Sequence, residues 1–336
     1  MKNDDLPAGR TSPQRVTLRD VARAAGVSHQ TVSRAINDKG EIDPETRRRI
    51  LEVAQQLRYR PSRFARGLVR PGATTIGLVV DDILNPFFPE LIAGVISAAE
   101  QRSWTVLIST TQNHPEREPE LLGSLAGQVD ALIGYLSQQD AALAAAVEGL
   151  PLVVMGRPAQ ESAFGAVDVD VRPGVQAAVD HLIARGHRQI GMIDCPTACE
   201  PGRRAVLLEA AAAHGVPLPA GAIVAADPNQ VGGEEGLARL LTAEPGVTAV
   251  LAFNDVVAMG AYRTARRLGL SIPGDIALIG FDGLSVGEVL DPPLTTINVD
   301  KRRMGELAVA QVERLLAGED SPLAMLSTDL LVRDSA

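Results

Sequence analysis

The sequence predicts an α/β core of two lobes, parallel sheets with helices on both faces, joined to a small all-α helix-turn-helix head. Three observations predict it. Residues 16–68 read as two short helical patterns around a Gly-Val-Ser turn, then a third helix and a basic tail, the grammar of a helix-turn-helix. From Thr75 onward short apolar runs alternate with helical stretches, which implies parallel strands covered by helices. Charge divides at the same place: residues 1–70 hold 15 Lys/Arg against 8 Asp/Glu (net +7), the remainder 17 against 33 (net −16), in a chain of net −9. A basic head on an acidic body points to a polyanion held by the head alone.

Bulk properties narrow the classes further. A chain of 336 residues with 46% hydrophobic content suits packed globular domains, and no run is apolar enough to span a bilayer. Residues 1–15 contain no apolar stretch of the kind a secretory signal needs, so they are expected to be a disordered extension of a cytoplasmic, nucleoid-associated protein. Cys195 and Cys199 have no partners at zinc spacing, and His114, His181, His187 and His214 show no metal-like spacing. Reduced thiols are expected, with no metal and no cofactor.

Within the head, Thr17-x-x-Asp20 can serve as a capping box for the first helix, whose inner stripe is Leu18, Val21, Ala22 and Ala25. Gly26 supplies the turn, and Ser28 is a suitable N-cap for the second helix, His29 to Asn37. Val32, Ala35 and Ile36 face inward at helical spacing, leaving His29, Gln30, Ser33, Arg34 and Asn37 on the other side. Arg34 can grip guanine with two bonds and Gln30 can pair with adenine, while His29 sits at the helix start, where bases are touched. Thr17, Thr31 and Ser33, together with the capping Ser28, suit phosphate or sugar contacts that position without specifying sequence. The alternative for each is a solvated surface residue. Asp43 and Pro44 open a third helix with Ile50, Val53, Ala54 and Leu57 inside, and Arg47 to Arg49 are solvated or phosphate-facing.

With these residues in place, the head (16–60) resembles that of the lactose/galactose repressor family of bacterial transcription regulators. The resemblance is carried by Thr17-Leu18, Asp20-Val21-Ala22, Ala25-Gly26-Val27-Ser28, Gln30 to Arg34, Asn37, Tyr59-Arg60-Pro61 and Ala65 to Leu68. It implies that the following hinge, residues 61–72, forms a short helix only on the operator, paired across a dimer in the minor groove. Leu68 matches the leucine that wedges between base pairs there, and Arg63 and Arg66 can reach phosphates. The physics agrees: a helix of about eight residues does not persist alone in water, and Gly67 weakens it by about 1 kcal/mol. A plain flexible linker is the alternative.

The core carries apolar strands at Ile76–Val80, Thr105–Ile108, Ala131–Gly134, Leu152–Met155, Ile190–Ile193, Ala249–Ala252 and Ile276–Ile279, and a last one at Leu330–Arg333. Asn85-Pro86-Phe87-Phe88, Gly156-Arg157-Pro158, Phe253-Asn254-Asp255, Ile279 to Asp282 and Pro293 to Ile297 resemble the periplasmic-binding-protein-like, sugar-binding core of the same family. That resemblance implies an effector-binding and dimerisation core over 73–334, with an N-lobe of 73–169 and 299–326 and a C-lobe of 170–298 and 327–334. The crossovers then fall near Asp170, Asn298 and Ser327. An effector, by default a sugar or derivative, would lie between the lobes against Phe87, Phe88, Arg204, Asn254 and Asp282. Phe88 reads equally as core, Asp255 as a helix cap, and Asp81 and Asp82 as loop caps with a ligand role open. Where relatives place G-D-aromatic-S, Ala225-Ala226-Asp227-Pro228 stands, so the pocket is expected to lack a stacking wall and carry an additional carboxylate.

The function implied is a sequence-specific DNA-binding regulator, a repressor in the commonest case, controlled by a small molecule. Control by a partner protein is the alternative. A solute-binding protein does not account for the head, and no G-x-S-x-G, Walker loop or G-x-G-x-x-G follows the first strand to suggest an enzyme. Two-fold pairing would match a near-palindromic operator on double-stranded DNA. Only three residues follow Arg333, with no heptad tail for tetramers, so a homodimer is expected.

Overall fold

The computed structural model describes residues 18–36, 42–57, 74–147, 149–159, 164–195 and 202–336. The chain forms two compact units, Met1–Ala73 and Thr74–Ala336.

In the first unit three helices follow one another: α1 (Leu18–Ala25), α2 (His29–Ile36) and α3 (Pro44–Gln56). Each boundary has a visible cause. Gly26 takes φ +67°, a left-handed conformation that costs glycine little, and Val27 N–H closes onto the Ala22 carbonyl at 3.1 Å. Ser28 Oγ then accepts from Thr31 N–H at 3.2 Å and starts α2, while Asp43 accepts from Thr46 N–H at 2.9 Å ahead of Pro44 in α3. Val21, Ala22, Ala25, Val32, Ala35, Ile50 and Ala54 form one buried cluster, edged by Val27, Ile42, Val53 and Leu57.

The second unit contains two six-stranded sheets. The first takes β1 (Thr75–Val80), β2 (Thr105–Thr110), β3 (Ala131–Tyr135), β4 (Leu152–Met155), β5 (Gly165–Asp170) and β11 (Ala324–Ser327), in the order β11-β5-β4-β3-β1-β2, all parallel. The second takes β6 (Ile190–Asp194), β7 (Ile223–Ala225), β8 (Ala249–Ala252), β9 (Ala277–Asp282), β10 (Thr295–Asn298) and β12 (Asp329–Leu331), in the order β12-β10-β9-β8-β6-β7, with only β12 antiparallel. Central strands such as β1, β3 and β4 are apolar and buried along nearly their whole length, the pattern of a parallel sheet covered on both faces. Strands β5, β7, β10 and β11 were not expected from apolar runs: GAVDVD and TTIN are half polar, and β7 is a three-residue edge.

Around the sheets lie α4 (Phe87–Glu100), α5 (Glu118–Ala126), α6 (Asp140–Val147), α7 (Arg172–Ala184), α8 (Gly202–Ala213), α9 (Gln230–Ala243), α10 (Asp255–Arg267) and α11 (Lys301–Ala317). The chain passes between sheets three times, from β5 into α7, from β10 into α11 and from β11 into β12. Thr328 Oγ1 ties the first and last passages together, donating to the Asp170 carbonyl at 2.8 Å and accepting from Gly174 N–H at 2.9 Å. Helix α11 returns to the first sheet and packs on α4 at a point where both helices carry glycine. A Cβ on Gly94 would collide with the Arg302 carbonyl, and one on Gly305 would lie 2.6 Å from the Val95 nitrogen.

Backbone cannot retreat the way a side-chain tip can. Gly94→Ala is therefore expected to destabilise the core by about 1–3 kcal/mol, as overpacking does, read as a lower urea midpoint at unchanged m-value.

Candidate functional site

On the head, the residues singled out by sequence stand on one short, capped helix. Ser28, His29, Gln30 and Arg34 are exposed and Thr31 is half-buried, while Val32 and Ala35 turn into the core. Thr17 and Asn37 lie outside the described residues, as do the hinge residues Arg63, Arg66 and Leu68 and the side chain of Ser33. Arg48 and Arg49 are exposed on α3. A row of donors on a helix whose opposite face is buried is what a groove-reading helix requires.

In the second unit a cleft of about 740 Å³ opens between the ends of the two sheets. Its first-sheet wall is aromatic. Phe87 and Phe88, opening α4, and Tyr135, ending β3, meet edge to face with ring centroids 5.4–6.0 Å apart. Both phenylalanines belong to the buried core and also line the cleft, so the two readings of Phe88 hold together. Tyr135 carried no sequence signal beyond closing an apolar strand.

The facing wall is built on Arg203. Its guanidinium lies 3.7 Å from the Phe281 ring centroid and 4.4 Å from that of Phe253, a cation sandwiched between two π-faces. Nη1 donates to the Phe253 carbonyl, Nη2 lies 4.0 Å from Asp282 Oδ1, and Nε is buried with no hydrogen-bond partner among the described residues. Asp282 ends β9 at φ +110°, a strained conformation for a residue with a side chain. Buried Lys301 holds it there, with Nζ donating to the carbonyls of Asp282, Gly283 and Val299 and lying 3.4 Å from Glu90 Oε2. Burial pushes the Asp282 carboxyl up to about 6, against the pull of Arg203 and Lys301.

Asn254, also lining the cleft, spends Oδ1 on Val257 N–H at 2.8 Å as the N-cap of α10, which leaves its NH₂ to face a ligand. The cap is thus Asn254, and not Asp255 as expected. Asp255 is fully buried one residue on, accepting from Thr296 Oγ1 at 2.6 Å and from Leu284 N–H at 2.7 Å. Among the described residues no cluster of His, Cys, Asp or Glu could hold a metal ion, and no helix is long and apolar enough to cross a membrane.

Residues 17–62 match the family described as bacterial regulatory proteins, lacI family, and residues 179–336 match a periplasmic binding protein-like domain. The transcriptional regulator CelR of Thermobifida fusca is 33% identical over 96% of this chain and 98% of its own. The chain belongs to the lacI family. Catabolite control protein A of Priestia megaterium is 30% identical over 95% of this chain and 99% of its own. Among solved structures, a CelR–cellobiose complex matches with TM-score 0.70 at 30% identity, over 96% of this chain and all of that one. The lac repressor dimer bound to operator and an anti-inducer matches with TM-score 0.72 at 27% identity, over 96% of this chain and 99% of that one. This lacI-family protein is accordingly a DNA-binding transcription regulator, and its core has the periplasmic-binding-protein-like fold that the sequence predicted.

One expected effector residue is corrected. Of the two adjacent arginines, Arg203 lines the cleft of this lacI-family core; Arg204 is exposed and absent from the lining. Successive helical residues point about 100° apart, and Arg203 shares the inward face of α8 with Val206 and Leu207, while Arg204 aligns with exposed Leu208.

Asp255 supplies a test of this geometry. Burial, with the neighbouring Asp282 carboxylate adding to it, pushes its carboxyl up to about 7 from an ordinary 3.8. Between those values the folded protein keeps a proton that the unfolded chain releases, so the stability this group contributes is lost as pH rises through 7. Asp81 and Asp282, raised to about 6, titrate in the same window, so the difference from a variant is the readout. Asp255→Asn is expected to flatten the decline in unfolding free energy between pH 4.5 and 7.5. An unchanged slope would remove Asp255 as its source.

Proposed function

We propose that this regulator reads a near-palindromic operator as a homodimer through α2, and that a small molecule bound between the two sheets of its core sets operator affinity. Repression is the sign favoured by the family, in which the lac repressor is found on its operator. The observation that carries the reading is the pairing of a capped helix exposing Gln30 and Arg34 with a cleft where aromatic rings face Arg203, Asn254 and Asp282. Arg34 and Gln30 are assigned to base edges, and His29 to the groove at the helix start. Ser28, Thr31 and Ser33 are assigned to the phosphate-sugar backbone, as are Thr17 and the hinge arginines Arg63 and Arg66. Asn37 is assigned to base edges as well, and Leu68 to the minor groove.

The effector is a carbohydrate or derivative in this reading. Solved relatives carry cellobiose, lactose or ribose, and an aromatic wall opposite donors and acceptors suits a ring with an apolar face and an equatorial rim of hydroxyls. The cleft binds without turnover, and the protein acts on the chromosome in the cytoplasm.

Selection of purified protein against a randomised duplex library tests the DNA half of the proposal. A near-palindrome should be enriched, and Arg34→Ala should weaken it by about 1–3 kcal/mol while relaxing specificity at one symmetric base pair. Uniform weakening across all sequences would instead make Arg34 a phosphate contact. No enrichment with wild-type protein, either alone or with cell extract added to supply the effector, would sink the operator-reading role.

A further inference from the structure

Charge inside the cleft is out of balance. Among the described residues four carboxylates line it, Asp81, Asp82, Asp227 and Asp282, against two arginines, Arg157 and Arg203. Both arginines are already committed. Arg157 gives Nε to the Leu136 carbonyl at 2.9 Å and Nη2 to the Gln138 carbonyl at 2.8 Å, and pairs with Asp140 at 2.6 Å. Arg203 is stacked between Phe281 and Phe253, with Nη1 on a carbonyl. Other cations near the cleft are spent too: Arg117 donates to the Thr111 carbonyl and Gln112 Oε1, and Lys301 to three carbonyls.

The carboxylates are less well served. Asp82 accepts from Leu84 N–H at 2.9 Å and Asn113 Nδ2 at 3.0 Å. Among the described residues the Asp81 carboxylate has only the Thr111 hydroxyl, 3.3 Å away, and shares its surroundings with the fully buried Glu118. Burial first, and the Glu118 charge second, push the Asp81 carboxyl up to about 6. The Asp282 carboxylate, in a residue 5% exposed, accepts no hydrogen bond from a side chain among the described residues, and the cation nearest to it is Arg203 at 4.0 Å. Asp81 and Asp82 follow β1 on the same side of the cleft as the Phe87, Phe88 and Tyr135 wall, whose π-systems attract cations, and Asp282 faces them from the second sheet.

We infer that the effector carries a protonated amine: an aminated carbohydrate whose ammonium is drawn to Asp81 and whose ring lies against Phe87, Phe88 and Tyr135. The inference rests on the cleft being the effector site. A neutral sugar closing the cleft would further desolvate Asp81 without compensating its charge, and an acidic sugar would add repulsion. An ammonium supplies the missing counter-charge and gains from the aromatic faces.

The test uses the full-length protein with matched probes, by thermal shift and calorimetry at pH 7.5. The sets are D-glucose, D-glucosamine, N-acetyl-D-glucosamine and D-glucuronate, their galacto counterparts, and cellobiose beside the β-1,4-linked glucosamine disaccharide. At least one amine should bind about tenfold or more tighter than its neutral partner, about 1.4 kcal/mol, with its N-acetyl and acidic partners weaker still. Asp81→Asn should erase that preference while leaving the melting temperature within a few degrees. The N-acetyl comparison needs no variant, so it stands even if Asp81→Asn fails to fold. Neutral or acidic members binding as tightly as the amine would overturn the inference and leave the proposed effector site standing. Silence from every probe would overturn it together with the carbohydrate reading of the cleft.

Discussion

The cleft depends on one buried ammonium group. Lys301 is 3% exposed, and a charge so far from water is costly unless its protons are met. They are met by carbonyls of Asp282, Gly283 and Val299, with the Glu90 carboxylate 3.4 Å off. These partners come from the end of β9, the passage from β10 to α11, and the first turn of α4. The same interaction thus holds Asp282 at an unfavourable φ, fastens a crossover, and reaches the helix that carries the aromatic wall. Arg203 then has a fixed carboxylate to face, and its stacking between two phenylalanines lets a poorly hydrated guanidinium stay where an ammonium would demand water.

Among the described residues three short connections run between the two sheets, and they are cross-linked rather than independent. Thr328 bridges the Asp170 carbonyl and Gly174 N–H, and Asn298 Nδ2 donates to Asp329 Oδ1 at 3.0 Å. A ligand that draws the cleft walls together acts on all three at once.

Legibility in the sequence followed the length and periodicity of each signal. Long apolar runs at Ile76–Val80, Ala249–Ala252 and Ile276–Ile279 are strands because a strand covered on both faces has no polar side to show. The turn at Gly26 and the caps at Ser28 and Asp43 were readable because capping is a local affair of three or four residues. Strand β7 was hidden because three residues are too few to carry a period, and β10 because TTIN is mostly polar. Arg203 was missed in favour of Arg204 because two adjacent arginines at a helix start differ only in face, and the face is settled by Val206 and Leu207 downstream. The exchange of roles between Asn254 and Asp255 has the same origin: either residue can cap, and only the buried partners Thr296 and Leu284, distant in sequence, decide.

The glycine contact between α4 and α11 bears on how the cleft can move. At Gly94 and Gly305 the two helices touch backbone to backbone, with no side chain between them to change rotamer and absorb a displacement. Phe87 and Phe88 at one end of α4 are therefore geared to Lys301 at the start of α11. Pressure on the aromatic wall cannot be spent in local repacking. A push on α4 is passed to α11 through backbone contact, at the crossover that begins that helix.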